Sequence, residues 1–256
     1  MTALIENAWA DNATGFFVRR TDDDERIFLV TNKHAILPGS DLPPEVVTVS
    51  LTDAPGGRTS IIRASVPLEG TGAAEWRGHP DGDVDVAAID VTRLRNSYPT
   101  AIMAFIPYSS FIPSSRLEAE DVHVIDDVLI VGYPMGRLIH RDSAFPIFRA
   151  GIIASDIGEP LQDELDGRTR TLRAFLVDGG VIPGSSGSPV VQRKTYVSGE
   201  KPMRVEDYPR SGLLGIVAET QYAPVRTGVF SGSGYAGLGL VFSAETILET
   251  VDLFFA

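Results

Sequence analysis

The chain has 256 residues, no cysteine and a formal net charge of −12, with 43% hydrophobic and 22% charged residues. That length suits one large β domain or two smaller ones, and the apolar fraction is ordinary for a globular core. The lack of cysteine excludes disulfides, thiolate nucleophiles and cysteine-ligated zinc, and the acid excess argues against nonspecific binding to nucleic acid or an anionic membrane.

The first residues, Met1-Thr-Ala-Leu-Ile-Glu-Asn7, lack the basic and apolar regions of a secretory signal, and no apolar stretch is long enough to cross a bilayer. A cytoplasmic location is therefore expected. Short β-branched or aromatic runs, broken by Gly, Pro, Asn and Asp, predict strands at 15–19, 26–31, 45–52, 59–66, 84–91, 122–131, 146–154, 171–178, 188–192, 213–218 and 237–242. Strands at that spacing predict an all-β sandwich or barrel rather than alternating α/β units. The turn-rich segment from Ile106 to Ser115 is the expected link between two halves. Three stretches read as insertions: the acidic run Asp156–Asp166, the polar run Gln192–Arg210 and the Gly/Ser-rich run Gln221–Ala236. Each is either a solvated connection or functional, the last as a lid or docking surface. Ser243–Phe255 predicts a helix capped by Ser243, with Glu245 at its positive end and Ile247, Val251 and Phe254 on one docking face.

The most informative segment is Gly184-Ser-Ser-Gly-Ser-Pro189, which sets hydroxyls in a tight turn before the apolar pair Val190-Val191. Serine becomes a nucleophile only when a base and an oxyanion site are supplied, and flanking glycines let backbone N–H groups converge in front of it. Only four histidines are present. His34 ends the strand-like run Phe28–Lys33 and would stand at a cleft edge; the bland reading is a surface or capping histidine. His79 reads as a loop residue, and His123 and His140 as structural ones. A carboxylate is offered by Asp81-Gly-Asp-Val-Asp85, where Asp85 opens the run Val86–Ile89 and is best placed to orient an imidazole. Asp83, two residues away on the same strand face, is its rival. An EF-hand calcium loop fits less well, because the closing glutamate is absent.

Together these segments resemble the trypsin-like serine peptidases, and among them the bacterial HtrA/Deg branch. Thr31-Asn-Lys-His34, Asp85-Val-Ala87 and Asp178–Val190 match the branch's three motifs in order. Smaller matches are Thr14-Gly-Phe-Phe-Val18, Val131-Gly-Tyr-Pro-Met-Gly136, Ala150-Gly-Ile-Ile-Ala154 and Gly237-Leu-Gly-Leu-Val241. The order histidine, aspartate, serine is that of the chymotrypsin class.

The resemblance implies two antiparallel β-barrels of chymotrypsin type with the active site between them. Residues 1–110 would carry His34 and Asp85, residues 116–242 would carry Ser186, and 243–256 would pack as a helix on the second barrel. It implies Ser186 as nucleophile, His34 as general base and acid, Asp85 as orienting carboxylate, and the N–H groups of Gly184 and Ser186 as the oxyanion hole. Ser185 and Ser188 compete with Ser186 for the nucleophile's place. Gly180 would lie at the base of the primary pocket, with Ala218, Glu219 and Thr220 on its rim. A base without a carboxylate implies cleavage after small or medium apolar residues. The Ser-Gly-Ser-Pro spelling is similar to the glutamyl-specific branch, whose pocket histidine has no counterpart after His140. Glu219 could instead draw a basic side chain. Ser185 stands where digestive enzymes carry an aspartate that pairs with a freed N-terminus, so activation by processing is not expected. No PDZ module is expected after the helix, and no metal or cofactor is expected. A polypeptide is the expected partner, with a regulatory protein as a second one. The alternative is a catalytically silent or partner-activated protein that serves as a binding module.

Overall fold

The computed structural model describes residues 2–7, 12–21, 24–37, 45–165, 168–193, 212–227 and 230–256. Its first half contains strands β1 (Thr2–Glu6), β2 (Asn12–Arg19), β3 (Phe28–Thr31), β4 (Val46–Asp53), β5 (Ser60–Pro67), β6 (Trp76–Gly78), β7 (Ala87–Asp90) and β8 (Ile106–Pro107). They form one curled sheet in the order β5-β4-β1-β2-β3-β7-β6, with β8 parallel to β2. Two short helices interrupt it, α1 (Lys33–Ile36) and α2 (Thr92–Ser97).

The second half closes into a barrel of six antiparallel strands: β9 (Asp127–Gly132), β10 (Ile147–Ile153), β13 (Ala174–Asp178), β14 (Pro189–Gln192), β15 (Leu213–Thr227) and β16 (Phe230–Ser243). Between β10 and β13 the hairpin β11 (Leu161–Leu165) and β12 (Arg168–Leu172) stands apart. Helix α3 (Ala244–Asp252) follows the barrel. The chain is thus mostly β with a short C-terminal helix, the architecture of the chymotrypsin type.

Strand alternation places the cores. Successive side chains of β2 point to opposite faces, so Phe17 joins Ile5, Leu29 and Val49 inside the first sheet, while Phe16 and Val18 join the seam between the halves. Both faces are buried, which is why the run reads as continuously apolar. The seam also takes Val84 and Val86 from the first half and Ile216, Leu240 and Phe242 from the second. A third cluster, with Ile130, Val177, Val190 and Val241, fills the barrel.

Several expectations are revised. β1, β6, β8, β11 and β12 are strands that the apolar pattern does not announce, being short or polar. β7 begins only at Ala87, so Asp85 lies just ahead of the strand rather than within it. The run 221–236 is largely not a loop. β15 and β16 stay paired outward from Glu219↔Leu240 to Thr227↔Phe230. Backbone ladder bonds form regardless of side chain, so Gly and Ser do not end the pairing here. Asp156–Asp166 runs into β11, and most of the expected loop Gln192–Arg210 lies outside the described residues.

Ser243 occupies the N-cap position of α3 but makes no capping bond, because its hydroxyl donates to the Arg173 carbonyl at 2.7 Å. The helix packs on both halves rather than on the barrel alone. Ile247 and Val251 are fully buried in the seam, and the Phe254 ring lies 4.8 Å from that of Phe28. Glu249 holds Arg173 of the second half at 2.6 Å and His79 of the first at 2.9 Å. His79 lies in the loop between β6 and β7 as expected, but it is a buried one: it is 5% exposed, and its Nδ1 accepts the Asp81 N–H, which leaves Nε2–H to donate to Glu249. Among the described residues no helix is long and apolar enough to cross a membrane.

Candidate active site

β3 delivers His34 by ending at Thr31, after which Asn32 turns the chain into the single turn of α1. The Asn32 side chain does not cap that turn; its Nδ2 donates to the Asp85 carbonyl at 2.7 Å and ties the two segments together. Asp85 then engages His34 with both oxygens. Oδ2 lies 2.5 Å from Nδ1, and Oδ1 accepts the His34 backbone N–H at 3.1 Å. A proton on Nδ1 facing the carboxylate leaves Nε2 as the basic nitrogen of the ring. Lys33 points the other way, donating from Nζ to the Asp81 carbonyl at 2.7 Å. Burial draws its ammonium pKa below the usual lysine value, against the pull of Asp85 and Asp81. The rival Asp83 is exposed, and its N–H bonds Asp81. Of the two aspartates, Asp85 is the one whose carboxylate hydrogen-bonds the imidazole.

Ser186 is the second residue of the latter of two consecutive tight turns. Ser185 N–H donates to the Ile182 carbonyl at 3.0 Å and Ser188 N–H to the Ser185 carbonyl at 2.9 Å. Gly184 and Gly187 hold the third positions with φ of +85° and +81°, and Pro183 holds the second position of the first turn, the type II signature. Space demands glycine at 187 as well. A Cβ there would lie 1.8 Å from the Thr14 carbonyl oxygen. Ser185 and Ser188 are each 1% exposed, whereas Ser186 is half-buried and accessible. Of the three hydroxyls, Ser186's alone is open to a substrate.

The peptide planes of these turns are set by bonds on their inner side. The Pro183 carbonyl accepts Met135 N–H at 2.8 Å, and the Ser185 carbonyl is taken by Ser188. In a trans peptide N–H and C=O point in opposite directions, so the N–H groups of Gly184 and Ser186 face the other way. Neither donates to a backbone carbonyl among the described residues. Two amides are thereby left for an external acceptor.

The Ser186 hydroxyl donates to the Ala218 carbonyl at 3.1 Å. That carbonyl is available because the β15–β16 register slips between Val217 and Glu219, making Ala218 the extra residue of a bulge. Ala218 is 2% exposed, so it contributes backbone rather than side chain. Gly180, with φ of +58°, opens the turn, and the next residue, Val181, is 1% exposed. Thr220 is paired with Gly239 on β16. Glu219 is partly buried, and burial holds its carboxyl above the usual range, with Arg170 opposing and Asp85 adding to the shift. The Arg170 guanidinium, which hydrogen-bonds Asp163, lies 3.9 Å from Glu219. Arg170 and the Ala218 carbonyl carry no sequence signal. Thr14 and Met135 lie in motifs noted above, but their bonds to the nucleophile turn are not legible there.

His123 and His140 lie on the exposed surface, the first beside Asp121 and the second 6.1 Å from the Phe145 ring. No cluster of His, Asp and Glu among the described residues could hold a metal ion.

A family model described as the trypsin-like peptidase domain matches residues 13–199. No curated protein matches by sequence. Among solved structures the chain is similar to the Rv3671c protease of M. tuberculosis in its inactive form, at 18% identity and a TM-score of 0.51, covering 100% of this chain and 89% of that one. It is also similar to the MamO protease domain from Magnetospirillum magneticum, at 14% identity and a TM-score of 0.52, covering 96% and 93%. A serine endoprotease from Yersinia pestis matches at 15% identity and a TM-score of 0.51, covering 98% of this chain and 61% of that one. At such identities these likenesses speak for the fold.

Proposed function

The chain belongs to the trypsin-like peptidase family and is a serine endopeptidase, and we propose that it works through an acyl-enzyme on Ser186. His34 is the general base and acid in this reading, and Asp85 the orienting carboxylate. His34 Nε2 takes the Ser186 proton as Oγ attacks the peptide carbonyl, and the N–H groups of Gly184 and Ser186 bind the oxyanion. The imidazolium, stabilised by Asp85, then protonates the leaving amine, and water releases the acyl group by the reverse sequence. The observation that carries this reading is the two-oxygen grip of Asp85 on His34. Loss of labelling by an organophosphorus fluoride in Ser186→Ala and His34→Ala, with both variants folded, is the expected result. Full labelling of Ser186→Ala sinks it.

We further propose cleavage after small or medium apolar residues. The Arg170 cation near Glu219 supports this, because it weakens the rim's pull on a basic substrate. A peptide-library profile with a basic residue dominant before the scissile bond contradicts it. A polypeptide substrate in the cytoplasm is the matching expectation, supported by the lack of cysteine and tested by cell fractionation.

One observation favours a second reading, a latent enzyme switched on by a partner protein. A hydroxyl has one proton, and that of Ser186 is directed at the Ala218 carbonyl rather than at the imidazole. That proton must swing away from the carbonyl, by rotation about the Cβ–Oγ bond, before a base can take it. Slow labelling that accelerates when cell extract is added supports this reading, and immediate full labelling of the pure chain removes it.

A further inference from the structure

Thr14 stands at the point where the first half touches the nucleophile turn, and every polar atom it owns is committed. Its N–H donates to the Ser186 carbonyl at 2.8 Å, and its carbonyl accepts the Thr31 hydroxyl at 2.9 Å. Its own hydroxyl donates to the Gly184 carbonyl at 3.2 Å and accepts Tyr133 N–H at 3.0 Å. The residue is 0% exposed, as is Tyr133.

From this geometry we propose that the Thr14 hydroxyl is a positioning residue for oxyanion stabilisation, an inference that rests on the reading of Ser186 as nucleophile. The two peptide planes that flank the Gly184 α-carbon are held from different sides. Met135 N–H holds the Pro183 carbonyl, and the Thr14 hydroxyl holds the Gly184 carbonyl. The same hydroxyl ties Tyr133, and so the turn that carries Met135, to the same point. Met135 itself sits at a φ of +58°, a backbone state a non-glycine residue keeps only where its surroundings enforce it. One hydroxyl therefore couples both restraints on the Gly184 N–H. The backbone bonds of Thr14 are available to any residue but proline, so the side chain can be tested alone.

Thr14→Val keeps the shape and removes the hydroxyl; Thr14→Ser restores it. With a peptide ester from the library screen, Thr14→Val is expected to lose about 10- to 100-fold in kcat with KM within about twofold, since small misplacements of catalytic groups cost rate rather than binding. Thr14→Ser is expected to stay within about threefold of the parent, because the hydroxyl remains within reach of both partners. The decisive readout is the preference for the ester over its thiono analogue, whose sulfur is poorly held by N–H donors. That preference shrinks in Thr14→Val and persists in Thr14→Ser. A structural role alone lowers thermal stability but leaves the preference intact in the folded enzyme, and that result overturns the proposal. If Thr14→Val does not fold, Thr14→Ala takes its place. Failure of both to fold, while serine folds, makes the hydroxyl a determinant of the fold and also overturns it. The reading of Ser186 fails separately, by activity that survives Ser186→Ala.

Discussion

Asp85→Asn tests the proposed relay at its least ambiguous joint. The parent carboxylate accepts two protons from one residue, the backbone N–H at 3.1 Å and the ring Nδ1–H at 2.5 Å. Asparagine offers one oxygen and one NH₂ group. The backbone N–H cannot reverse its role, so it claims the oxygen and leaves the NH₂ facing Nδ1. The ring must then accept at Nδ1 and carry its proton on Nε2, where it cannot receive one from Ser186. Loss of the correct tautomer is expected to lower kcat about 10⁴-fold, which is about 5 kcal/mol of transition-state stabilisation. The fold should be little disturbed, because Asn32 bonds the main-chain carbonyl of residue 85. Steady-state turnover of a peptide ester, normalised to thermal melts that show a native population, measures the effect. A loss under about tenfold refutes the assignment of Asp85, because the ring would then be kept in its tautomer by something else.

Three further outcomes follow from the same structure. Gly187→Ala places a methyl 1.8 Å from the Thr14 carbonyl oxygen in a residue at φ +81°; it should cost at least about 2 kcal/mol in urea unfolding, from left-handed strain plus displacement of the turn. Arg173 and then His79 hold the Glu249 carboxyl down at about 2, against 4.5 unperturbed. A depressed folded value means stability present above about pH 4.5 and lost as the pH falls toward about 2, so the gap in melting temperature between parent and Glu249→Gln should close over that window. Deleting residues 2–6 removes β1 from between β4 and β2, where Leu4 and Ile5 are buried. The expected result is aggregation, seen by size-exclusion chromatography, rather than activation; a soluble and more active product contradicts it.

How legible the site was depended on the kind of bond involved. His34, Asp85 and Ser186 could be nominated from the sequence because the proposed chemistry needs particular residue types beside strand ends and glycine turns. The demand for Gly184 and Gly187 was readable too, since positive φ leaves its mark on composition. Asp85 against Asp83 was not decided by periodicity, because both fall before β7, where the alternation of a strand does not apply. The contact of His34 with Asp85 separated them. The hairpin of β15 and β16 was hidden for a related reason. Its pairing runs through backbone groups that every residue owns, so Gly234 opposite Ala223 is as good a ladder partner as any.

By itself the sequence determined a mostly-β chain of short strands, a histidine, an aspartate and a serine in the chymotrypsin order, and a terminal helix with one apolar face. These are local properties: alternation, turn chemistry and residue type. Only the tertiary structure decided that α3 pins both halves, that Ala218 bulges to meet the Ser186 hydroxyl, and that Thr14 braces Gly184 from across the seam. The first depends on side chains meeting partners far away in the chain, and the other two on a carbonyl, which carries no letter in the sequence to announce where it will point.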